Sequence, residues 1–136
     1  EEMREKLEDF EAGYATEAQT ADQIRRIYEA TGYVLDTHTA VASHVCDEYR
    51  KASGDGSKCL VASTASPYKF VKSVMTSIDS TYEAEDDFLL LEKLEEVSGV
   101  DMPQAIADIL HADVLHKTEC DTDKMEDTVK EILDIR

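Results

Sequence analysis

Residues 59–70 have the sequence CLVASTASPYKF, and this stretch decides the expected fold class. Residues 59–62 are apolar and follow a sharp glycine-containing turn at 54–56, a pattern that predicts a short buried strand of the parallel-sheet kind. Pro67 suits the first turn of a helix, so residues 63–66 are predicted to link that strand to a helix. Because open α/β sheets bind ligands at the carboxyl ends of their strands, this loop is the first candidate site.

Upstream of this stretch, the spacing of apolar residues predicts three helices. A short amphipathic helix is expected within residues 1–11. A second begins at the capping-box pattern of residues 20–23 and ends at Gly32. After a short apolar connector or strand at 33–35, Asp36 or Thr37 caps a third helix over about 38–52. The apolar positions of these helices are Met3, Leu7 and Phe10, then Ile24, Ile27 and Tyr28, then Val41, Val45 and Tyr49.

Downstream, the helix that starts at Pro67 is followed by a polar, acidic surface connection at 79–87. Helices are predicted at 87–98, ending near Gly99, and at 103–111, starting with Pro103. Residues 112–115 form a possible second strand, and a last helix covers about 122–135. The residues expected to face inward are Phe70, Val71, Val74 and Ile78, and in the last helix Met125, Val129, Ile132 and Leu133.

The predicted strands cannot satisfy their own backbone hydrogen-bonding groups. The sequence therefore indicates an α/β fold class of a particular kind: a mostly helical fragment with one or two short strands, completing a sheet that belongs to a longer chain. Residues 1–136 are taken as one segment of such a protein.

Composition excludes several classes of function. The chain has 136 residues, with 31 acidic and 14 basic side chains and a net charge of −17, so it should repel nucleic acids and anionic lipids. It contains no apolar run long enough for a membrane span, and its first residues lack the apolar core of a signal peptide. Three widely spaced cysteines do not form a disulfide framework and fit a reducing compartment, so a cytoplasmic location is expected.

Two motifs resemble the threonine synthase family. Residues 32–41, GYVLDTHTAV, are similar to the family pattern G-Y-x-x-D-P-H-T-A-V, with Thr37 where the family usually has Pro. Residues 63–70, STASPYKF, are similar to the family motif T-A-x-P-x-K-F. Since the motifs come in the family's order, and the helices around them also fit, the resemblance spans nearly the whole chain but only the C-terminal portion of the enzyme.

The resemblance implies a pyridoxal-phosphate-dependent lyase of threonine biosynthesis, with the tryptophan-synthase-like fold. It converts O-phospho-L-homoserine and water to L-threonine and phosphate. In that fold a hydroxyl side chain meets the pyridine nitrogen of the cofactor, and the matching position is Thr64. The Schiff-base lysine and the phosphate-binding loop lie upstream in the family. This segment alone is therefore expected to be inactive, and its uncovered apolar surface could lead to self-association.

Alternatives remain at each candidate residue. Thr64 could simply cap the following helix, because Ser and Thr at such turns are most often caps. His38 could serve in acid–base chemistry or bond a backbone group, and Lys69 could meet a phosphate or extend along the surface. His111, His116 and Cys120 are spaced too widely for a typical zinc site, so no metal is expected. For the whole chain, the alternative is a stand-alone acidic helical module that binds a protein partner.

Overall fold

A computed structural model describes residues 6–7 and 9–135 of the chain. The α-helices that lie wholly within these residues are α1 (Glu17–Thr31), α2 (Thr37–Ser53), α3 (Val71–Ile78), α4 (Asp87–Ser98), α5 (Gln104–Leu110) and α6 (Met125–Ile132). Short 3-10 helices occupy Pro67–Phe70, Ser80–Ala84 and Thr122–Lys124. The expectation of a mostly helical segment is therefore confirmed.

The predicted strands are absent from the residues that the structure describes, so these residues do not show an α/β fold. The run at 59–62 was expected to be a buried strand, but it is irregular and its Leu60 side chain is 98% exposed. The second run, 112–115, is also irregular and exposed. Both predictions were wrong because a strand needs a neighbour for its backbone N–H and C=O groups, and the described residues offer none.

Helix α1 begins one turn earlier than the sequence suggested. Thr16 caps it: the Gln19 backbone N–H donates to Thr16 Oγ1 at 3.3 Å, and the Thr16 N–H donates to Gln19 Oε1 at 2.8 Å. Thr20, the predicted cap, lies inside the helix and donates its hydroxyl to the Thr16 carbonyl at 3.0 Å. The predicted end is confirmed, since Gly32 adopts φ 74°, a left-handed conformation that favours glycine.

The core lies where α1 packs against α2 and α3, and where α3 packs against α4. Its fully buried members include Ile24 of α1, Met75 of α3 and Leu94 of α4. In α2 the buried residues are Thr39 and Ala40. The face predicted for α2 holds in part, since Val41 and Val45 are half-buried and Tyr49 is exposed.

The remaining boundaries agree with prediction, including the last helical stretch at Thr122–Lys124 and Met125–Ile132, but the predicted inward face of that last helix does not. Pro67 starts a helical turn, the predicted face of α3 is buried or half-buried, and Gly99 ends α4. The predicted inward face of α6 is exposed, at 58%, 52%, 65% and 60% for Met125, Val129, Ile132 and Leu133. That prediction was wrong because α6 packs mainly against the 3-10 turn that precedes it.

The predicted helix within residues 1–11 lies largely outside the described residues, as does Met3. Within them, Leu7 and Phe10 are both exposed. None of the described helices combines the length and the apolar character that a bilayer span requires.

Candidate functional site

The structure brings the two sequence motifs together at the first turn of α2. Thr39 lies in this turn, and Ser63 opens the irregular segment 63–66 that leads to the 3-10 helix Pro67–Phe70. Their Oγ atoms are 3.1 Å apart, although the residues are separated by 24 positions in sequence. A hydrogen bond between side chains thus joins the motifs.

A buried carboxylate organises this junction. Asp36 is 1% exposed and is the N-cap of α2. Its Oδ1 accepts hydrogen bonds from the backbone N–H groups of His38 at 2.8 Å and Thr39 at 3.2 Å, and its Oδ2 accepts from the Thr39 hydroxyl. These bonds satisfy two of the donors that the start of every helix leaves unpaired. Asp36, not Thr37, is therefore the cap.

Thr37, which stands where the family pattern has proline, occupies a position that accepts either residue. Thr37 is the first residue of α2, immediately after the cap. Proline is favoured at this position because the backbone N–H there has no partner within the helix. A threonine keeps the same helical start, so the exchange leaves the capping geometry at Asp36 in place.

The direction of the bond between the motifs follows from the number of protons. A threonine hydroxyl carries one proton, and Thr39 donates it to Asp36. With that proton used, Thr39 Oγ1 can only accept a hydrogen bond. The Ser63 hydroxyl is therefore the donor across the 3.1 Å contact. The order Ser63 to Thr39 to Asp36 places the carboxylate at the acceptor end of a short chain of hydrogen bonds.

Thr64, the predicted cofactor contact, has an exposed side chain, and its hydroxyl forms no hydrogen bond within the described part of the chain. The cap of the following 3-10 helix is Ser66, whose Oγ accepts from the Tyr68 N–H at 3.3 Å. The capping role that was an alternative for Thr64 therefore belongs to Ser66. Thr64 lies between two anchored serines with its hydroxyl free.

Tyr68 holds the far side of this segment. It is 4% exposed, and its hydroxyl donates to the Val100 carbonyl at 2.6 Å. Burial raises the pKa of the Tyr68 phenol above its ordinary value of 10.0, because the phenolate would lose its hydration. The 3-10 helix Pro67–Phe70 is thus tied to the loop that follows α4.

His38 lies beside the second motif with a largely exposed ring. The ring centroids of His38 and Phe70 are 5.0 Å apart, and His38 Nδ1 is 3.7 Å from Asp36 Oδ1. The ring lines an open cleft of about 340 Å³ between the starts of α1 and α2 and residues of the second motif and α3. The imidazole makes no hydrogen bond to a backbone group in the described residues, so it is accessible to a ligand.

The other candidates stay apart from this junction. Lys69 is exposed, with its Nζ 5.4 Å from the Phe70 ring centroid, as expected for a lysine that extends along the surface. His111, His116 and Cys120 are exposed, and no group of side chains within residues 6–7 and 9–135 is arranged to hold a metal ion. Sequence reasoning missed the roles of Thr39 and Ser63. The Asp-x-x-Thr spacing of a helix cap was the signal for Thr39, and nothing local signalled Ser63.

Comparison with known families decides the relationship. The model of the threonine synthase C-terminal family matches residues 39–127. The chain belongs to the threonine synthase C-terminal family. The match begins at Thr39 and includes Ser63 and Thr64, so the bond between the motifs lies inside the family region.

The relatives are longer proteins. Mouse (Mus musculus) threonine synthase-like 1 is 31% identical over 123 residues, which is 77% of this chain and 16% of that protein. The human (Homo sapiens) protein of the same name is 35% identical over 75 residues, which is 54% of this chain and 10% of that protein. The orangutan (Pongo abelii) protein is 36% identical over 75 residues. The chain thus spans only a small part of the length of each relative. It is a threonine synthase-related C-terminal segment.

Proposed function

We propose that this chain is the C-terminal part of a pyridoxal-phosphate-dependent threonine synthase. The reaction would convert O-phospho-L-homoserine and water to L-threonine and phosphate. The observation that carries the proposal is the uncommitted hydroxyl of Thr64, which lies between Ser63 and Ser66, each held by a hydrogen bond. Family membership supports this function over the alternative of a stand-alone interaction module.

The residues present fit one side of a pyridoxal phosphate site. A pyridine nitrogen needs a small polar partner, and the exposed Thr64 hydroxyl can donate a hydrogen bond to it. When bound, the cofactor supplies an electron sink for bonds at the substrate's amino-acid carbon. Thr64 is neutral, so it does not hold the pyridine nitrogen protonated as a carboxylate would.

Four further residues would position this hydroxyl. The hydrogen bonds from Ser63 to Thr39 and from Thr39 to Asp36 fix the start of the segment, while the Ser66 cap fixes its end. Holding the segment at both ends reduces the number of conformations that Thr64 can adopt before a ligand binds. His38, exposed beside Phe70, is the candidate for moving a proton to or from a bound substrate.

The remaining parts of the proposal concern the whole protein. The Schiff-base lysine and the cradle for the cofactor phosphate would come from outside this segment. The partner is the small-molecule substrate, and the net charge of −17 argues against nucleic acid or anionic membranes. Three free cysteines support a cytoplasmic location. Exposed apolar residues such as Leu60 would allow the isolated segment to self-associate.

The test is Thr64→Val in the full-length protein, which keeps the side-chain shape and removes the hydroxyl. A lost hydrogen bond between neutral groups is worth about 0.5–1.5 kcal/mol, so the Kd for pyridoxal phosphate should rise roughly two- to twelve-fold. Turnover should fall, while the midpoint of thermal unfolding should not change. Cofactor binding is measured by fluorescence titration on the same preparation used for thermal unfolding.

Thr118→Val is the matched control, because Thr118 is also exposed in an irregular segment and lies outside both motifs. It should leave the Kd and turnover unchanged. Unaltered cofactor affinity in Thr64→Val, together with a clear loss of stability, would assign Thr64 a purely structural role and defeat the proposal.

A further inference from the structure

Two cysteines outside the candidate site lie in contact. Cys46 is on α2, and Cys59 is in the irregular segment that joins α2 to the second motif. Their Sγ atoms are 2.8 Å apart, although 13 positions separate them in sequence. Both are free thiols. The third cysteine, Cys120, is exposed and has no sulfur partner in the described residues.

The contact is held by the backbone around it. The Arg50 guanidinium, one turn after Cys46 on α2, donates to the Ser57 carbonyl. The Ser57 N–H donates to Asp55 Oδ1 at 2.8 Å. These bonds keep the segment carrying Cys59 against α2, so the two sulfurs meet without a rearrangement of the chain.

The pair is also accessible. Cys59 is exposed and Cys46 is half-buried. Both line an open, mostly apolar cleft of about 520 Å³ that also includes Val45 and Tyr49. A molecule of the size of a small peptide disulfide can therefore reach Cys59 from solvent.

We propose that Cys46 and Cys59 form a reversible disulfide by exchange with a small-molecule disulfide such as oxidised glutathione. The Cys59 thiolate attacks one sulfur of glutathione disulfide, which forms a mixed disulfide and releases one glutathione thiolate that takes up a proton. The Cys46 thiolate then attacks Cys59 Sγ and displaces the second glutathione. The two protein thiols lose two electrons and two protons, and one glutathione disulfide becomes two glutathione thiols.

The environments of the two thiols set this order. The hydrogen bond with Cys59 and partial burial raise the pKa of Cys46, so its thiol stays protonated to higher pH. Cys59 is the more exposed sulfur and is the one that an external disulfide meets first. Cys46 then acts as the resolving thiol, since it is already within contact distance of Cys59.

Oxidation would fix the segment before the second motif. Cys59 precedes Ser63 by four positions, and Ser63 holds the start of the Thr64 segment through Thr39. A covalent bond at Cys59 limits how far this segment can move away from α2. This inference does not depend on the proposed enzymatic function, because thiol exchange requires only the two sulfurs and the disulfide reagent.

The experiment incubates the full chain with defined ratios of reduced to oxidised glutathione and analyses it by mass spectrometry without reduction. The expected product has lost the mass of two hydrogen atoms and carries no glutathione on Cys46 or Cys59. After trypsin, the peptide ending at Arg50 and the peptide starting at Cys59 should stay linked, and dithiothreitol should separate them. Cys120→Ser should form the same linked pair.

Cys46→Ser should replace the linked pair by a glutathione adduct on Cys59. Iodoacetamide should label Cys59 before Cys46 in the reduced chain. Separate glutathione adducts on Cys46 and Cys59 in the unaltered chain, or a linkage through Cys120 instead, would overturn the proposal. Circular dichroism of each variant confirms that its helices are retained, so a negative result cannot be attributed to unfolding.

Discussion

Asp36 joins local and long-range structure at a single side chain. Its carboxylate caps α2 through two backbone N–H groups and accepts the hydroxyl of Thr39, which in turn accepts from Ser63. A buried carboxylate is stable only when its oxygens are hydrogen-bonded, and here both are. The residue therefore sets the start of a helix and, through Thr39, the position of a loop that lies 24 residues beyond Thr39.

Replacing Asp36 with Ala should lower the free energy of unfolding by about 2 kcal/mol, since a cap is lost and the buried Thr39 hydroxyl loses its acceptor. The control is Asp86→Ala, which removes the exposed cap of α4 and should cost about 1 kcal/mol or less. Urea unfolding followed by circular dichroism measures both values. Equal losses in the two variants would mean that burial and the bond to Thr39 add nothing.

For single residues, the sequence predicts hydrogen bonds to near neighbours in the chain and misses those to distant positions. A cap at Asp36 or Thr37 followed from residue type and position, because the capping bonds run to residues two and three positions ahead. Ser66 as the next cap could have been predicted, because it directly precedes Pro67 at the first helical position, whereas Thr64 lies three positions before Pro67. The hydrogen bond between Thr39 and Ser63 depends on how α2 packs against the rest of the chain. No local sequence pattern predicts that packing.

Among the elements, the 3-10 helix Pro67–Phe70 matters most, because it follows the Thr64 segment directly. Tyr68 is its anchor, with a buried ring and a hydroxyl that donates to the Val100 carbonyl at 2.6 Å. Since Val100 follows the end of α4, this bond relates the position of the second motif to the α3–α4 part of the core.

The raised pKa of Tyr68 predicts a loss of stability at alkaline pH. Below the ordinary value of 10.0, the phenol is neutral in the folded and unfolded chains, so its stabilising effect is complete. As the pH rises from there through the higher folded-state value, the unfolded chain loses its proton first, and the free energy of unfolding falls. Tyr68→Phe should reduce this decline and cost about 1 kcal/mol at pH 7.

The matched control is Tyr33→Phe, because Tyr33 is 56% exposed and its hydroxyl has no hydrogen bond in the described residues. Tyr33→Phe should change the free energy of unfolding by less than about 0.5 kcal/mol at both neutral and alkaline pH. Urea titrations at neutral and alkaline pH provide the comparison. The same alkaline decline in Tyr68→Phe as in the unaltered chain would show that another group is responsible.

Single helix boundaries were predictable where a glycine or proline marks them. Gly32, Gly99 and Pro67 mark helix boundaries that the structure confirms. Residues 59–62 and 112–115 have strand-like composition, but composition does not supply the neighbouring strand that would pair with them. Helix α6 has an apolar face of the right period, and period alone does not show whether another element covers it.

Over the whole molecule, the well-packed part lies between α1 and α4, while apolar residues at both 59–62 and α6 remain exposed. The family match covers residues 39–127, and the chain corresponds to 16% of its mouse relative. Family membership was predictable from two motifs of fixed order. The arrangement of the motifs in space required the core, which brings the start of α2 to Ser63.

The isolated chain should release no phosphate from O-phospho-L-homoserine in the presence of pyridoxal phosphate. The family's Schiff-base lysine is expected outside this segment, and the lysines near the core have other partners: Lys72 Nζ donates to the Glu85 carbonyl at 2.5 Å and Lys93 Nζ to Glu85 Oε1 at 2.8 Å. A continuous phosphate assay measures release, with the full-length protein as the positive control. Phosphate production in proportion to the concentration of the isolated chain would contradict the expectation.

The hydrogen bond between Thr39 and Ser63 also affects how well the segment between α2 and Ser63 would tolerate insertions. Helix α2 ends at Ser53, and Ser63 is held by its contact with Thr39, so the segment between them is fixed at both ends. For a flexible loop closed in this way, each doubling of length costs only about 0.6 kcal/mol. Insertions after Gly56 should therefore cost little in loop-closure free energy, although they would separate Ser57 from Asp55, whose Oδ1 accepts from the Ser57 N–H. The position suits the genetic insertion of a reporter peptide or a fluorophore tag, a few residues from Thr64 and outside the packed core.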